Sequence, residues 1–316
     1  MAANGEAPHM SAPLLNPTDD APPPCCTPDA HGALAMSTAR GSFVAVHDWH
    51  GEPTNKVMYL IEPPEGTKVV GGILVIHDIF GPRVGRHTEI CDSLAAAGFI
   101  VACPDLFGDG EARARASLLP NWPIKQLSNI LGLICCCKVG YMSRAMKTKW
   151  ESSIAPTLAL IMRQLDTSSG KPLKWGAVGF CWGALPVARL LTGLANEPNV
   201  GCGIAFHPSL RGAVAEAAVR AVRKPLLLCP CGDDPSNVQA GGAFADVLSS
   251  IFERGAARGA FTDGFNAVHT FPDMLHGFMT RGPITEPAIA RDYAEGVRLM
   301  TRFFVAHAGV RPGRGV

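Results

Sequence analysis

The stretch KWGAVGFCWGAL, Lys174 to Leu185, decides the fold. Trp175–Phe180 is a short apolar run of strand length, and a segment with helical spacing opens at Gly183. Between them Gly179-Phe180-Cys181-Trp182-Gly183 has the G-x-nucleophile-x-G spacing of a strand-to-helix elbow, with cysteine in the nucleophile position. A strand that turns straight into a helix strains the backbone of its corner residue. Side chains two positions to either side would collide there, and glycine removes both clashes. The geometry lifts the Cys181 sulfur above the sheet edge, toward backbone N–H groups that favour a thiolate and then an oxyanion. A buried cysteine beside a packing glycine spells the same five letters, so the flanking chain has to decide.

Working outward, the glycine-bounded run Gly72–His77 reads as a strand buried on both faces, followed by the loop Asp78-Ile79-Phe80-Gly81-Pro82. Arg86–Gly98 has helical spacing, and Phe99–Cys103 is a second buried strand. Ser42–Asp48 and Val57–Glu62 read as edge strands around a turn at Gly51-Glu52-Pro53. A helix is expected over Ile154–Leu165, and the elbow helix over Gly183–Leu194. Strands over Gly203–His207, Pro225–Pro230 and Ala267–Phe271 then alternate with helices over Ala213–Val222, Ala240–Glu253 and Ala288–Ala308. That alternation predicts an α/β fold with a mostly parallel central sheet and helices on both faces. The Ala- and Pro-rich start predicts a disordered tail over residues 1–38, leaving a single domain over residues 39–310. Residues 112–150 show no clean period and are expected to form a lid segment.

Composition narrows the partners. A formal charge of +1 without a basic cluster argues against nucleic acid and anionic membrane, and no apolar run is long enough to span a bilayer. The eleven cysteines are an odd count, and the start MAANGEAPHM has neither a basic patch nor an apolar core. The expectation is a cytoplasmic protein with reduced thiols. Neither Cys25-Cys26 nor Cys135-Cys136-Cys137 has the paired spacing of a zinc site, so neither a metal nor another cofactor is expected.

Thiol-based acyl transfer needs a base within reach of the sulfur and a carboxylate to orient that base. On a sheet of this kind they follow in the chain order nucleophile, acid, histidine, each on a loop after a strand. Cys231-Gly232-Asp233-Asp234-Pro235 follows one expected strand, and Pro272-Asp273-Met274-Leu275-His276-Gly277-Phe278 follows the next. A histidine before glycine or an Asp-Asp-Pro loop is by itself an ordinary turn; three hits in order are not.

From about Ser42 to Ala308 the chain resembles the dienelactone hydrolase family of α/β-hydrolases. The resemblance rests on His77-Asp78-Ile79-Phe80-Gly81, Val101-Ala102-Cys103-Pro104-Asp105-Leu106-Phe107, the elbow, and Leu275-His276-Gly277-Phe278. It implies an α/β-hydrolase fold and a hydrolase of small esters or lactones. It implies Cys181 as nucleophile, His276 as base and an aspartate of the Asp233-Asp234 loop as orienter. Asp234 is preferred, because the apolar Val238 lies four residues beyond it, and Asp233 remains the alternative. The oxyanion hole would be the backbone N–H groups of Ile79 and Trp182. Asp78 takes the place of an acid that contacts the resting thiol in relatives. Arg281 is the candidate for a substrate carboxylate, with Arg113 and Arg115 as further candidates and His207 at the cleft rim. The partner is a small-molecule ester or lactone. A general carboxylesterase or thioesterase, or a non-catalytic relative that binds a ligand in the same cleft, is the alternative.

Overall fold

In a computed structural model the chain is described over residues 39–107, 149–194, 198–257 and 265–308. Strands Ser42–His47 (β1), Pro53–Ile61 (β2), Gly71–Ile76 (β3), Phe99–Pro104 (β4), Trp175–Phe180 (β5), Val200–Phe206 (β6) and Leu226–Cys229 (β7) form one sheet. Its order is β1-β2-β4-β3-β5-β6-β7. The edge strand β1 pairs antiparallel with β2, which is expected as a second edge strand but is flanked by β1 and β4. Strand β2 pairs antiparallel with β4 as well, and all pairings beyond β2–β4 are parallel. Every residue of β3, β4 and β5 is buried, as a parallel sheet covered on both faces requires.

The helices are His87–Ala96 (α1), Ala155–Ser168 (α2), Ala184–Leu190 (α3), Gly212–Ala221 (α4), Ala243–Ala257 (α5), Phe278–Arg281 (α6) and Pro287–His307 (α7). Two glycines show how closely the outer layers approach. Ala177 pairs with Gly203, so Gly176 and Gly203 point to opposite faces of the sheet. A methyl group on Gly203 would strike Val187 of α3, and one on Gly176 would strike Phe304 of α7. Helices therefore cover both faces.

Strand β3 pairs with β4 on one side and β5 on the other. Its sheet neighbours are thus reached by connections that diverge, which opens a crevice at the carboxyl ends of β3 and β5. The loop after β3 and the elbow after β5 both lie there.

Two further elements differ from expectation. The elbow helix stops at Leu190 rather than Leu194, and Gly193 beyond it takes a left-handed φ of 73°. The strand expected over Ala267–Phe271 is reduced to two isolated bridges, Leu228 to Val268 and Cys231 to Phe271. Pro230 accounts for the break: its carbonyl accepts the Phe271 N–H at 2.8 Å, but proline has no N–H to continue the ladder. The tail over residues 1–38, most of the lid segment, Arg113, Arg115 and the paired and triple cysteines lie outside the described residues.

Candidate active site

Cys181 sits at the corner between β5 and α3, in a 3-10 turn spanning Cys181–Gly183, with a left-handed φ of 55°. Such a conformation is costly for a side chain and is held by its surroundings. Those surroundings allow only glycine at either end. A methyl group at Gly179 would run into the Gly183 carbonyl, and one at Gly183 into the Ile76 carbonyl at the end of β3. The elbow and the β3 loop are therefore in close apposition, with Ile79 and Trp182 both buried. The Trp182 N–H opens the turn, where an N–H has no partner within its own helix.

The Asp233-Asp234 loop and the His276 loop are joined to each other. Gly232 N–H donates to the Met274 carbonyl at 3.1 Å, and a methyl group at Gly232 would meet the Pro272 carbonyl. Across this seam the two aspartates divide the histidine between them. Asp234 Oδ1 lies 2.5 Å from His276 Nδ1, and its Oδ2 accepts the Cys231 N–H at 2.7 Å. Asp233 Oδ1 instead accepts the backbone N–H of His276 at 2.8 Å. Burial and the adjacent Asp234 raise the Asp233 carboxyl above its ordinary range. A carboxylate at Nδ1 holds the proton there and leaves Nε2 as the basic nitrogen. Asp234 and His276 are both almost fully buried.

A residue not anticipated from the sequence lies between His276 and Cys181. Ser209 Oγ is 3.2 Å from Cys181 Sγ and 3.5 Å from His276 Nε2. Its backbone N–H donates to the Cys181 carbonyl at 3.0 Å. Only its place three residues beyond the end of β6 marked it, and a serine after His207-Pro208 carries no recognisable pattern. His207 was expected at the cleft rim but lies fully buried beneath it, its ring 5.0 Å from that of His276. Burial and the neighbouring His276 hold His207 well below the ordinary histidine range, so its ring is neutral.

Asp78 is fully buried, and its carboxylate is engaged by the other side of the cleft. It accepts from the Phe80 N–H at 2.9 Å and the Thr280 hydroxyl at 3.0 Å, and pairs with Arg281 Nε at 3.3 Å. Two buried histidines flank it. Each places Nδ1 against a carbonyl, of Asp78 for His77 and of Val84 for His87, and takes an N–H at Nε2, so both are neutral Nδ1–H tautomers. Burial lowers both, His77 to about 4. Burial opposes the charge on Asp78, but His87, Arg281, the Phe80 N–H and His77 together outweigh it and hold the carboxyl below its ordinary range. With His87 neutral near pH 7, Arg281 is its lasting counter-charge. The stability this carboxylate contributes is present above its unfolded pKa and is lost as pH falls through the depressed folded value.

Arg281, on α6, is thus packed against Asp78 and over the Phe80 ring, 4.2 Å from its centroid. Arg86 ties the same segment down from the start of α1, donating to the carbonyls of Gly282 at 2.6 Å and Phe278 at 2.7 Å. The Asp78 and Arg281 side chains are 0% and 5% exposed, so removing either charge strands the other. Asp78→Asn or Arg281→Met is expected to cost about 3–5 kcal/mol in urea unfolding. The double variant is expected to recover much of that loss, because a neutral replacement of a buried pair is often tolerated. Simple addition of the two losses would show that the pair is not coupled.

Among the described residues no helix is long and apolar enough to cross a membrane, and no three His, Cys, Asp or Glu residues are grouped to hold a metal ion. Residues 57–307 match the profile of the dienelactone hydrolase family. An uncharacterized AIM2 family protein of Schizosaccharomyces pombe is 27% identical over 88% of this chain and 97% of its own length. A protein of Gibberella moniliformis named Dienlactone hydrolase 1 is 25% identical over 76% of this chain and 83% of its own. The fold is similar to that of Thermogutta terrifontis esterase 2, with a TM-score of 0.52 and 13% identity over 86% of this chain and 95% of that one.

Proposed function

As the chain belongs to the dienelactone hydrolase family, we propose that it cleaves a small ester or lactone with Cys181 as nucleophile, His276 as base and Asp234 as orienting carboxylate. Family membership makes it a hydrolase acting on esters; the residue roles are the proposal. One observation carries them: Asp234 lies 2.5 Å from His276 Nδ1, while Nε2 on the far side of the ring faces the elbow across Ser209.

His276 Nε2 takes the thiol proton, and the sulfur attacks the carbonyl carbon. The tetrahedral oxyanion is held by the backbone N–H groups of Trp182 and Ile79. Its collapse expels the alkoxide, which takes the proton back from His276 and leaves an acyl thioester on Cys181. Water, deprotonated by Nε2, then attacks the thioester and frees the acid and the thiol. Asp234 stays ionised throughout and stabilises the imidazolium.

Rapid acid quench during turnover of an activated aryl ester, followed by peptide mass mapping, tests the intermediate. The acyl mass is expected on Cys181, sensitive to hydroxylamine, and prior alkylation of Cys181 is expected to abolish turnover. An adduct on another residue, or turnover by the alkylated protein, would overturn the assignment.

A generalist carboxylesterase is the second reading, favoured by the Asp78–Arg281 pair. A substrate carboxylate that approached Arg281 would meet a cation whose charge is already balanced by the buried Asp78. A carboxylate-bearing lactone and its methyl ester are therefore expected to differ by less than about tenfold in kcat/KM, well short of what a desolvated bidentate arginine contact supplies. A larger preference for the anionic lactone would restore Arg281 as a substrate anchor.

A further inference from the structure

We propose that Ser209 is a further catalytic residue, whose hydroxyl donates to the Cys181 thiolate as it forms and so sets the pH at which the nucleophile is available. The inference rests on the reading of Cys181 as nucleophile and His276 as base.

The placement is fixed by the backbone and does not depend on rotamer choice alone. His207 leaves β6 with a left-handed φ of 36°, Pro208 follows, and the Ser209 N–H is tied to the Cys181 carbonyl at 3.0 Å. The next residue is held as well, Leu210 O accepting from Asn237 Nδ2 at 3.0 Å. These contacts bring Oγ to 3.2 Å from the sulfur and 3.5 Å from Nε2 of His276. Ser209 is only half-buried, as a side chain at the edge of a substrate cleft would be.

With a neutral thiol, either group of the Cys181–Ser209 pair is able to donate. Activation removes that freedom. The S–H proton goes to His276 Nε2, the electron pair stays on sulfur, and the sulfur then only accepts. The hydroxyl is then a donor at hydrogen-bond distance from it, and a bond made to the charged form favours that form. A hydroxyl also adds no charge of its own, so it supports the thiolate without opposing the imidazolium held by Asp234. The buried thiols Cys91, Cys202, Cys229 and Cys231 are pushed up by burial and have no part in this.

The test compares wild type with Ser209→Ala, Ser209→Thr and Ser209→Val, the last two of similar shape but with and without the hydroxyl. Alkylation of Cys181 by iodoacetamide is followed against pH by peptide mapping, which needs no substrate. In Ser209→Ala and Ser209→Val the midpoint is expected to rise by about one pH unit, with about tenfold slower alkylation below it. The acid limb of kcat/KM for an aryl ester is expected to move with it. Ser209→Thr is expected to stay close to wild type. If Ser209→Ala does not fold, the Thr and Val pair decides. An unmoved midpoint in the variants without a hydroxyl overturns the proposal, as does an equal shift in all three. Hydrolysis that survives alkylation of Cys181 overturns instead the nucleophile assignment, whatever the Ser209 variants do.

Discussion

Cys181→Ala is expected to lower ester hydrolysis by at least about a thousandfold while leaving the fold intact. Removing the nucleophile of a triad costs between about a thousandfold and a millionfold in kcat, because the remaining groups support only weak catalysis by bound water. The protein is expected to tolerate the change. Alanine replaces a small side chain at the cleft, and Gly179, Gly183 and the bond from Ser209 N–H to the Cys181 carbonyl all remain. The left-handed φ of 55° stays as unfavourable for alanine as for cysteine, so unfolding midpoints should nearly coincide. Retention of more than about a tenth of the activity on an activated aryl ester would show that another group performs the attack.

The second large effect separates two adjacent carboxylates. Asp234→Asn should lower kcat by about a thousandfold to ten-thousandfold, as the corresponding change does in serine triads. The amide presents an N–H to Nδ1, which turns the ring into the tautomer whose Nε2 already carries a proton and is unable to accept another. The Asp233→Asn amide oxygen still accepts the His276 N–H, now made to the carboxylate at 2.8 Å, so less than about tenfold should be lost. Steady-state kinetics of both variants, checked against their unfolding midpoints, decide between them. A larger loss at Asp233 would reverse the roles.

What could be read from the letters was what local sterics and chain order dictate. The glycine spacing marked the elbow because a corner of that shape excludes any side chain at Gly179 and Gly183. The unbroken apolar run of β3 marked a strand covered on both faces. The order of Cys181, the aspartate pair and His276 along the chain placed them on three loops, each after a strand. Three things were hidden, each for a tertiary reason. Ser209 reaches the sulfur through a left-handed residue and a proline that carry no periodic signal. Arg281 was legible as a cation near His276, but its pairing with Asp78 depends on a contact between residues 203 positions apart. The last strand looked continuous because its own residues favour one, whereas the interruption lies in the partner, at Pro230.

The clamp from Arg86 to the carbonyls of Phe278 and Gly282 has a bearing on how the molecule is made. It joins the first third of the chain to its final stretch, a closure with a high entropic cost that is met late. A polypeptide emerging from the ribosome therefore carries Cys181 for some time before the segment that bears His276 can dock. On the roles proposed above, the thiol is without its base until that docking and has little nucleophilic character. In refolding, the return of turnover should then coincide with docking of the segment that carries His276 rather than with formation of the sheet.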